Sequence, residues 1–246
     1  MAVLCRFLYS DKAILPNWNW TNGDMQFIAL LLNKNESGEL NIEDYWTIGE
    51  MRTINYKSTT YGTTSSDWVL TDFNSTTSGG TKYNAVVHTY ALLPTSGQMN
   101  TTRTNVGGYR DSYMRNTIVP NIYNNLPDNF KNIIKSGAHV SGVDSSTIAT
   151  LTDNLFLFAE REILGSRSWS PTNEYDKCKQ FEYFVDATFR KKTGNTGPSG
   201  YTANEYWTRS PHYNNSAGFC SVGSNGSASS YGSANNYYGI CVAALI

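Results

Sequence analysis

The C-terminal segment constrains the fold most, because it has no charged residue from Ser210 to Ile246 and ends in the apolar run GICVAALI. Such a run is expected to be buried as a strand, since exposing it to water is unfavourable. The Gly- and Ser-rich stretch before it is typical of a linker by composition alone. Because it leads directly into a buried strand, we expect it to be ordered.

The composition of this stretch indicates a contact surface. Between His212 and Tyr238, 20 of 27 residues are Asn, Ser, Gly or Tyr, and Phe219 and Val222 interrupt the small residues as apolar anchors would. Tyr provides a large amphipathic contact area with few rotatable bonds, and Ser, Asn and Gly provide adaptable hydrogen bonding, as in antibody binding loops. A flexible spacer has no use for such large aromatic side chains.

The rest of the composition excludes some partners. The chain has 246 residues, 39% of them hydrophobic, which is enough to build one large domain or two small ones. Its net charge of -1, with both signs interspersed, predicts no nucleic-acid partner and no attraction to an anionic membrane. No apolar run reaches the length of a membrane span, and the N-terminus has no recognisable signal peptide.

The pattern of apolar residues predicts an α+β fold. Strand-like runs are found at 46–56, 67–74, 83–93, 154–160 and 239–246. The middle of the chain predicts two short helices within 112–135, broken near Leu126-Pro127, and a third helix over 173–192. Strands at both ends with helices between them favour α+β over a parallel βαβ array.

The sequence also suggests a division of the chain. Residues 1–45 carry their own apolar run and are predicted to form an N-terminal attachment or oligomerisation element. Residues 46–246 form the predicted main domain, and 74–82 and 193–200 are predicted to be flexible connections.

No set of residues indicates a metal or a cofactor. The four cysteines, Cys5, Cys178, Cys220 and Cys241, are widely spaced and are expected to be small buried hydrophobes. Cys220 and Cys241 could pair if their strands are adjacent, which the sequence cannot decide. The three histidines lack the spacing of a metal-binding pair.

Two charged features have alternative interpretations. Glu160 and Glu162 alternate on a strand-like run, as paired glycosidase carboxylates could, but we expect them to cap a strand or pair with Arg161 and Arg167. Arg209 could clamp a ligand, but is expected to organise internal hydrogen bonds. No residue stands out as a nucleophile, and the chain is not expected to be an enzyme.

Several motifs resemble one family in order along the chain. They are WTIGEMRTI, MNTTRTNVGGYRDSYMRN, IYNNLPDNFKNIIK, TDNLFLFAEREILG and EYWTRSPHYNNSAGFCSVGSNGSASSYGSANNYYGICVAALI. Together they resemble a domain family of unknown function from gut bacteria and their phages. Many of its members are similar to the variable proteins of diversity-generating retroelements, which have a C-type-lectin-like fold of the formylglycine-generating-enzyme subtype.

The resemblance implies a role for each part of the C-terminal segment, with the variable region at about 207–246. Trp207, Arg209, Ser210 and Pro211 would form the scaffold entry, and Phe219, Val222, Gly239, Ile240 and Val242 would lie in the core. The side chains expected to project to the ligand are His212, Tyr213, Asn214, Asn215, Ser216, Ser221, Ser224, Ser229, Ser230, Tyr231, Ser233, Asn235, Asn236, Tyr237 and Tyr238.

The genetic code agrees with this resemblance. In such retroelements, adenine-directed mutagenesis of AAC-type codons diversifies the ligand-contacting positions. Base changes at the two adenines of AAC or AAT cannot encode Lys, Glu, Gln, Trp or Met, and none of these occurs from His212 to Tyr238. A Gly/Ser linker would often lack them too.

The resemblance therefore implies a receptor-binding or adhesion protein on a phage tail or bacterial surface, with a protein or glycan ligand on a target cell. A trimer or other homo-oligomer would raise its avidity. The alternatives are a copper-dependent oxygenase of the formylglycine-generating type and a purely structural virion protein.

Overall fold

The computed structural model describes residues 22–55, 65–90, 93, 96–193 and 205–246, and this part of the chain has a mixed α+β architecture, as predicted. Its α-helices are α1 Asn22–Glu36, α2 Val119–Asn125, α3 Asp128–Lys131, α4 Glu160–Leu164 and α5 Thr172–Lys177. Its strands are β1 Met51–Asn55, β2 Ser65–Thr76, β3 Lys82–Thr89, β4 Ser96–Gly97, β5 Gly137–Gly142, β6 Ile148–Asp153, β7 Leu155–Leu157, β8 Tyr206–Pro211, β9 Gly218–Val222, β10 Ala228–Ser233, β11 Tyr238–Gly239 and β12 Val242–Leu245.

The strands form two five-stranded sheets and one hairpin. The first sheet has the order β1-β2-β3-β12-β7, the second has the order β10-β9-β8-β11-β4, and β5 pairs with β6. Strand β12 lies between β3 and β7, where Ala243 pairs with His88 on one side and Phe156 on the other. Residues 239–246 are all buried, so the predicted burial of the last strand is confirmed.

Strand β8 connects the two hydrophobic clusters of the core. Neighbouring side chains of a strand point to opposite faces, so Tyr206 enters one cluster and Trp207 the other. Phe219 of β9 joins Trp207, and Val222 joins Tyr206. The second sheet therefore has apolar contacts on both of its faces, which suits a framework for surface loops.

Of the helices predicted in the middle of the chain, the two within 112–135 are confirmed, and the one over 173–192 is not. A π-helical turn at Met114–Ile118 leads into α2, and the chain breaks at Leu126 before α3, as the following proline requires. The predicted helix over 173–192 is wrong beyond Lys177, because α5 ends there and two 3-10 turns follow, Glu182–Phe184 and Ala187–Arg190. Phe184 is fully buried, so tertiary packing overrides helix propensity here.

The described part of the N-terminal segment packs on the main core. Ile28 and Leu32 of α1, together with Ile42, belong to the same hydrophobic cluster as Trp68 of β2. No break in the core therefore occurs at residue 45 within the described residues, and the attachment role remains a prediction. Residues 1–21 lie outside the described residues.

Two further predictions concern connections and membranes. Residues 74–82 are not a flexible connection, because they include the β2–β3 hairpin turn, where Ser78 Oγ accepts the Val140 N–H of β5 at 2.8 Å. Most of the predicted connection at 193–200 lies outside the described residues. None of the helices in the described part of the chain is both long and apolar enough to cross a membrane.

Candidate ligand-binding surface

The base of the predicted surface is built on buried Arg209 of β8. Its guanidinium donates to both carboxylate oxygens of Glu162 at 2.6 Å, and to the carbonyl oxygens of Leu157 at 2.8 Å and Val140 at 3.0 Å. Burial alone would lower the pKa of Arg209, but the Glu162 carboxylate raises it above its ordinary value. The prediction that Arg209 organises internal hydrogen bonds is confirmed.

The two glutamates expected on a strand lie on helix α4 instead. Glu162 is at the third helical position and accepts the Ala159 N–H at 2.9 Å, which caps the helix. Glu160 accepts the backbone N–H groups of Ser168, Trp169 and Ser170 at 2.9–3.1 Å. Both carboxylates are buried and fully engaged, so the interpretation as a glycosidase pair is wrong.

The ion pairs predicted for these glutamates are also wrong. Arg161 donates to the carbonyl oxygen of Tyr175, and Arg167 donates to that of Ser170, each at 2.7 Å. The glutamates find their partners elsewhere because they turn inward, towards buried N–H groups and Arg209.

The cysteines are buried thiols. Cys178, Cys220 and Cys241 are all free and at most 4% exposed, and burial raises the pKa of each thiol. The expectation of small buried hydrophobes is confirmed for these three, whereas Cys5 lies outside the described residues. Within the described ranges, no three His, Cys, Asp or Glu side chains are grouped so that they could hold a metal ion.

The Gly- and Ser-rich segment is ordered, as predicted, and buried side chains within it hold it against the core. Phe219 and Val222 of β9 are fully buried. Gly232 of β10 lies against the Trp207 ring so closely that a Cβ atom there would be 2.3 Å from two ring atoms. The small residue at this position is therefore a packing requirement rather than a sign of flexibility.

Most of the predicted ligand-contacting side chains reach solvent. The exposed ones are Asn214, Ser216, Ser224, Asn235, Asn236 and Tyr237. The partly exposed ones are Tyr213, Asn215, Ser229, Ser233 and Tyr238. The side chains of Ser230 and Tyr231 lie outside the described residues.

Two of the predicted side chains do not project. Ser221 is 1% exposed and donates to Glu205 Oε1 at 2.7 Å, because β9 is an inner strand of its sheet. His212 is 7% exposed, and its ring stacks with Trp169 and Tyr213 at centroid distances of 5.2 and 5.6 Å. The expectation that these side chains face a ligand is wrong, and both support their neighbours instead.

The remaining positions fall into two groups at opposite ends of the β9–β10 hairpin. At one end Gly218 pairs with Ser233, and at the other Val222 pairs with Ala228. Residues 213–217 and 233–238 lie at the first end, where Ala234 N–H donates to Ala217 O at 2.9 Å, and we call them the loop surface. Ser224 in the hairpin turn and Ser229 near the start of β10 lie at the other end and are not part of the loop surface.

A supporting loop at residues 99–113 was not assigned to the site from the sequence. Asn105 Nδ2 lies 2.8, 3.0 and 3.3 Å from the carbonyl oxygens of Gly218, Asn215 and His212. Asn100 N–H donates to Ala234 O at 2.8 Å, so the loop touches both halves of the loop surface. The loop lies within the motif MNTTRTNVGGYRDSYMRN, and this motif is the sequence feature from which its place in the site could have been predicted.

The same supporting loop adds apolar area next to the loop surface. Val106 is 75% exposed and Tyr113 is 39% exposed. Tyr237 of the loop surface is 51% exposed.

Comparison with known proteins gives one match. The model of DUF6273, a domain of unknown function, matches residues 81–246. The chain belongs to this family. The DUF6273 region contains the loop surface, its supporting loop and the Arg209–Glu162 pair, whereas β1, β2 and α1 precede it. No curated protein matches the chain, and neither does any solved structure.

Proposed function

We propose that this protein is a ligand-binding protein, acting in receptor binding or adhesion through its loop surface. One observation carries the proposal: within one short segment, a run of exposed polar and Tyr side chains has buried anchors on both sides. Asn235, Asn236 and Tyr237 are exposed, whereas Ala234 and Ile240 on either side of them are fully buried. Such a segment can present variable side chains on a fixed frame.

The chemistry of the loop surface suits recognition rather than catalysis. Its exposed groups are amides, hydroxyls and phenols, which donate and accept hydrogen bonds but provide no strong nucleophile or general base. The oxygenase alternative requires a reactive cysteine pair. Cys220 and Cys241 are buried, and burial raises the pKa of both thiols, which argues against that chemistry.

The finer parts of the proposal rest on the family resemblance. We propose that the scaffold is C-type-lectin-like and that a diversity-generating retroelement varies the exposed positions. The ligand would be a protein or glycan on a target cell, and the location a phage tail or bacterial surface. We also propose a trimer, because several linked sites would multiply modest single-site affinities. A monomeric mass in solution and in the assembled particle would contradict the trimer.

Deep sequencing of the gene across a natural population tests the proposal directly. We expect substitutions at the codons of Asn214, Asn235, Asn236 and Tyr237, whose side chains are exposed. The codons of the buried anchors, such as that of Phe219, provide the matched control and should be invariant. Uniformly low variation would refute diversification.

A binding experiment separates the recognition role from a purely structural one. Replacing the exposed side chains of the loop surface with alanine should abolish attachment to the target cell while the free energy of unfolding stays the same. The single replacement Ser224→Ala, at the other end of the hairpin, is the control and should leave attachment intact. Unchanged attachment in the multiple variant would favour a structural virion component.

A further inference from the structure

A second candidate site lies on the first sheet, away from the loop surface. An open cavity of about 310 Å³ lies between the C-terminal end of α1 and the β2–β3 hairpin, and Asn35, Lys82, Tyr83, Asn84 and Lys135 contribute to its wall. This volume is at the lower end of the range for small-molecule pockets. The wall is rich in amides and charged groups, so a polar ligand fits it better than an apolar one.

Asn84 of β3 carries an unused hydrogen-bond donor at this cavity. The residue is 5% exposed, and no atom of the described residues accepts a hydrogen bond from its Nδ2. An unsatisfied buried amide is unfavourable by about 1–3 kcal/mol, and a ligand oxygen that reaches it recovers part of this. Because Nδ2 is out of contact with water, the ligand must displace the covering side chains slightly.

The orientation of this amide is fixed by its neighbours. The backbone N–H of Ile42 donates to Asn35 Oδ1 at 3.0 Å, so Asn35 must present its Nδ2 to the other side. Asn35 Nδ2 then donates to Asn74 Oδ1 at 2.7 Å and to Asn84 Oδ1 at 2.9 Å. Turning Asn84 over would oppose two NH₂ groups, so its free donor is a consequence of the network.

The charges at the cavity favour an anion. Lys82 is exposed and has neither an ion pair nor a hydrogen bond from its Nζ to any part of the chain that the structure describes. Lys135 Nζ pairs with Glu36 at 2.8 Å, and both side chains are at least 36% exposed. Two cations and one carboxylate leave the cavity with a net positive charge.

We propose that this cavity binds a small carboxylate-bearing carbohydrate of mono- or disaccharide size. The carboxylate would pair with Lys82, and a ring or hydroxyl oxygen would accept from Asn84 Nδ2. The hydroxyl and amide groups of the wall match the hydroxyl groups of a sugar. The site uses no residue of the loop surface and stands apart from the function proposed above.

Titration of the full chain with digalacturonic acid tests the proposal. Binding is measured by calorimetry and by the shift of the Asn84 side-chain amide signals in ¹⁵N NMR. We expect saturable binding that shifts the Asn84 signals, with lactose and sodium acetate at least about fivefold weaker because each lacks one half of the match. No binding up to about 10 mM would overturn the proposal. Equal binding of lactose or of acetate would overturn it too.

Variants locate the binding. Lys82→Gln should weaken it about three- to fivefold, the usual range for losing one exposed ion pair with partial desolvation. Asn84→Asp keeps the acceptor for Asn35 but replaces the donor with a negative charge, so binding should vanish. Lys34→Gln removes a cation of α1 that does not line the cavity and that pairs with Glu39 at 2.6 Å, so it should have no effect on binding. Full affinity in Lys82→Gln would contradict the site even if Asn84→Asp fails to fold.

Discussion

Replacing Glu174 with glutamine should stabilise the protein at alkaline pH and not at acidic pH. Glu174 of α5 is 1% exposed, its Oε1 accepts the Ser210 hydroxyl at 2.9 Å, and its Oε2 has no partner among the described residues. Burial raises the pKa of Glu174 from 4.5 to about 7, although nearby Arg209 opposes this rise. The fold therefore accommodates the neutral acid better than the carboxylate.

The magnitude follows from the displaced pKa. One pKa unit corresponds to about 1.4 kcal/mol, so ionised Glu174 lowers the free energy of unfolding by about 3 kcal/mol. Below pH 4.5 the acid is protonated in both states, and no penalty exists. Between pH 4.5 and about 7 only the unfolded state loses the proton, so stability falls as the pH rises, and the full penalty applies above pH 7.

Urea denaturation followed by Trp fluorescence at about pH 5 and pH 8 measures this difference. The free energy of unfolding of Glu174→Gln should exceed the wild-type value by less than about 1 kcal/mol at pH 5 and by about 3 kcal/mol at pH 8. Glu182→Gln, at an exposed position, is the control and should show no such pH dependence. A Glu174→Gln effect of the same size at both pH values would refute the reasoning.

Three further predictions use the same assay. Arg209→Met should lower the free energy of unfolding by about 3–5 kcal/mol, because it leaves the buried Glu162 carboxylate without its cation. Adding Glu162→Met should restore part of the loss, and strictly additive effects of the two substitutions would contradict this pairing. Gly232→Ala should be destabilising by about 1–3 kcal/mol through overlap with the Trp207 ring, and a neutral result would contradict the packing. Asn236→Lys, at an exposed position, should change stability by less than about 0.5 kcal/mol, and a larger loss would show that the loop depends on this side chain.

The parts of the fold that the sequence predicted are those governed by local rules. GICVAALI had to be buried because of its apolar content, and the helix break at Leu126 follows from the proline after it. The helix beginning at Glu160 was missed because it has only five residues, too few for a helical period to be recognised. Glu162 of this helix pairs with Arg209, a contact between residues far apart in the chain that no local pattern indicates.

The candidate site was predicted in outline for a similar reason. Composition identified the segment, but a strand of small residues does not indicate which of its faces is buried, so Ser221 was assigned to the surface. Asn105 was missed because its role depends on three carbonyl oxygens of a segment about a hundred residues later. The resemblance placed its motif in the domain without giving it a function.

The way the loop surface is held explains how its side chains could vary. Its two halves are joined by a backbone hydrogen bond from the Ala234 N–H to the Ala217 carbonyl oxygen. Another backbone hydrogen bond runs from the Asn100 N–H to the Ala234 carbonyl oxygen. Asn105 binds carbonyl oxygens, and it lies outside the region at 207–246 that the resemblance marks as variable. Backbone groups are the same whatever side chain a residue carries. Substitutions at Asn235 or Asn236 therefore leave these contacts in place, and that independence is what a diversified binding surface requires.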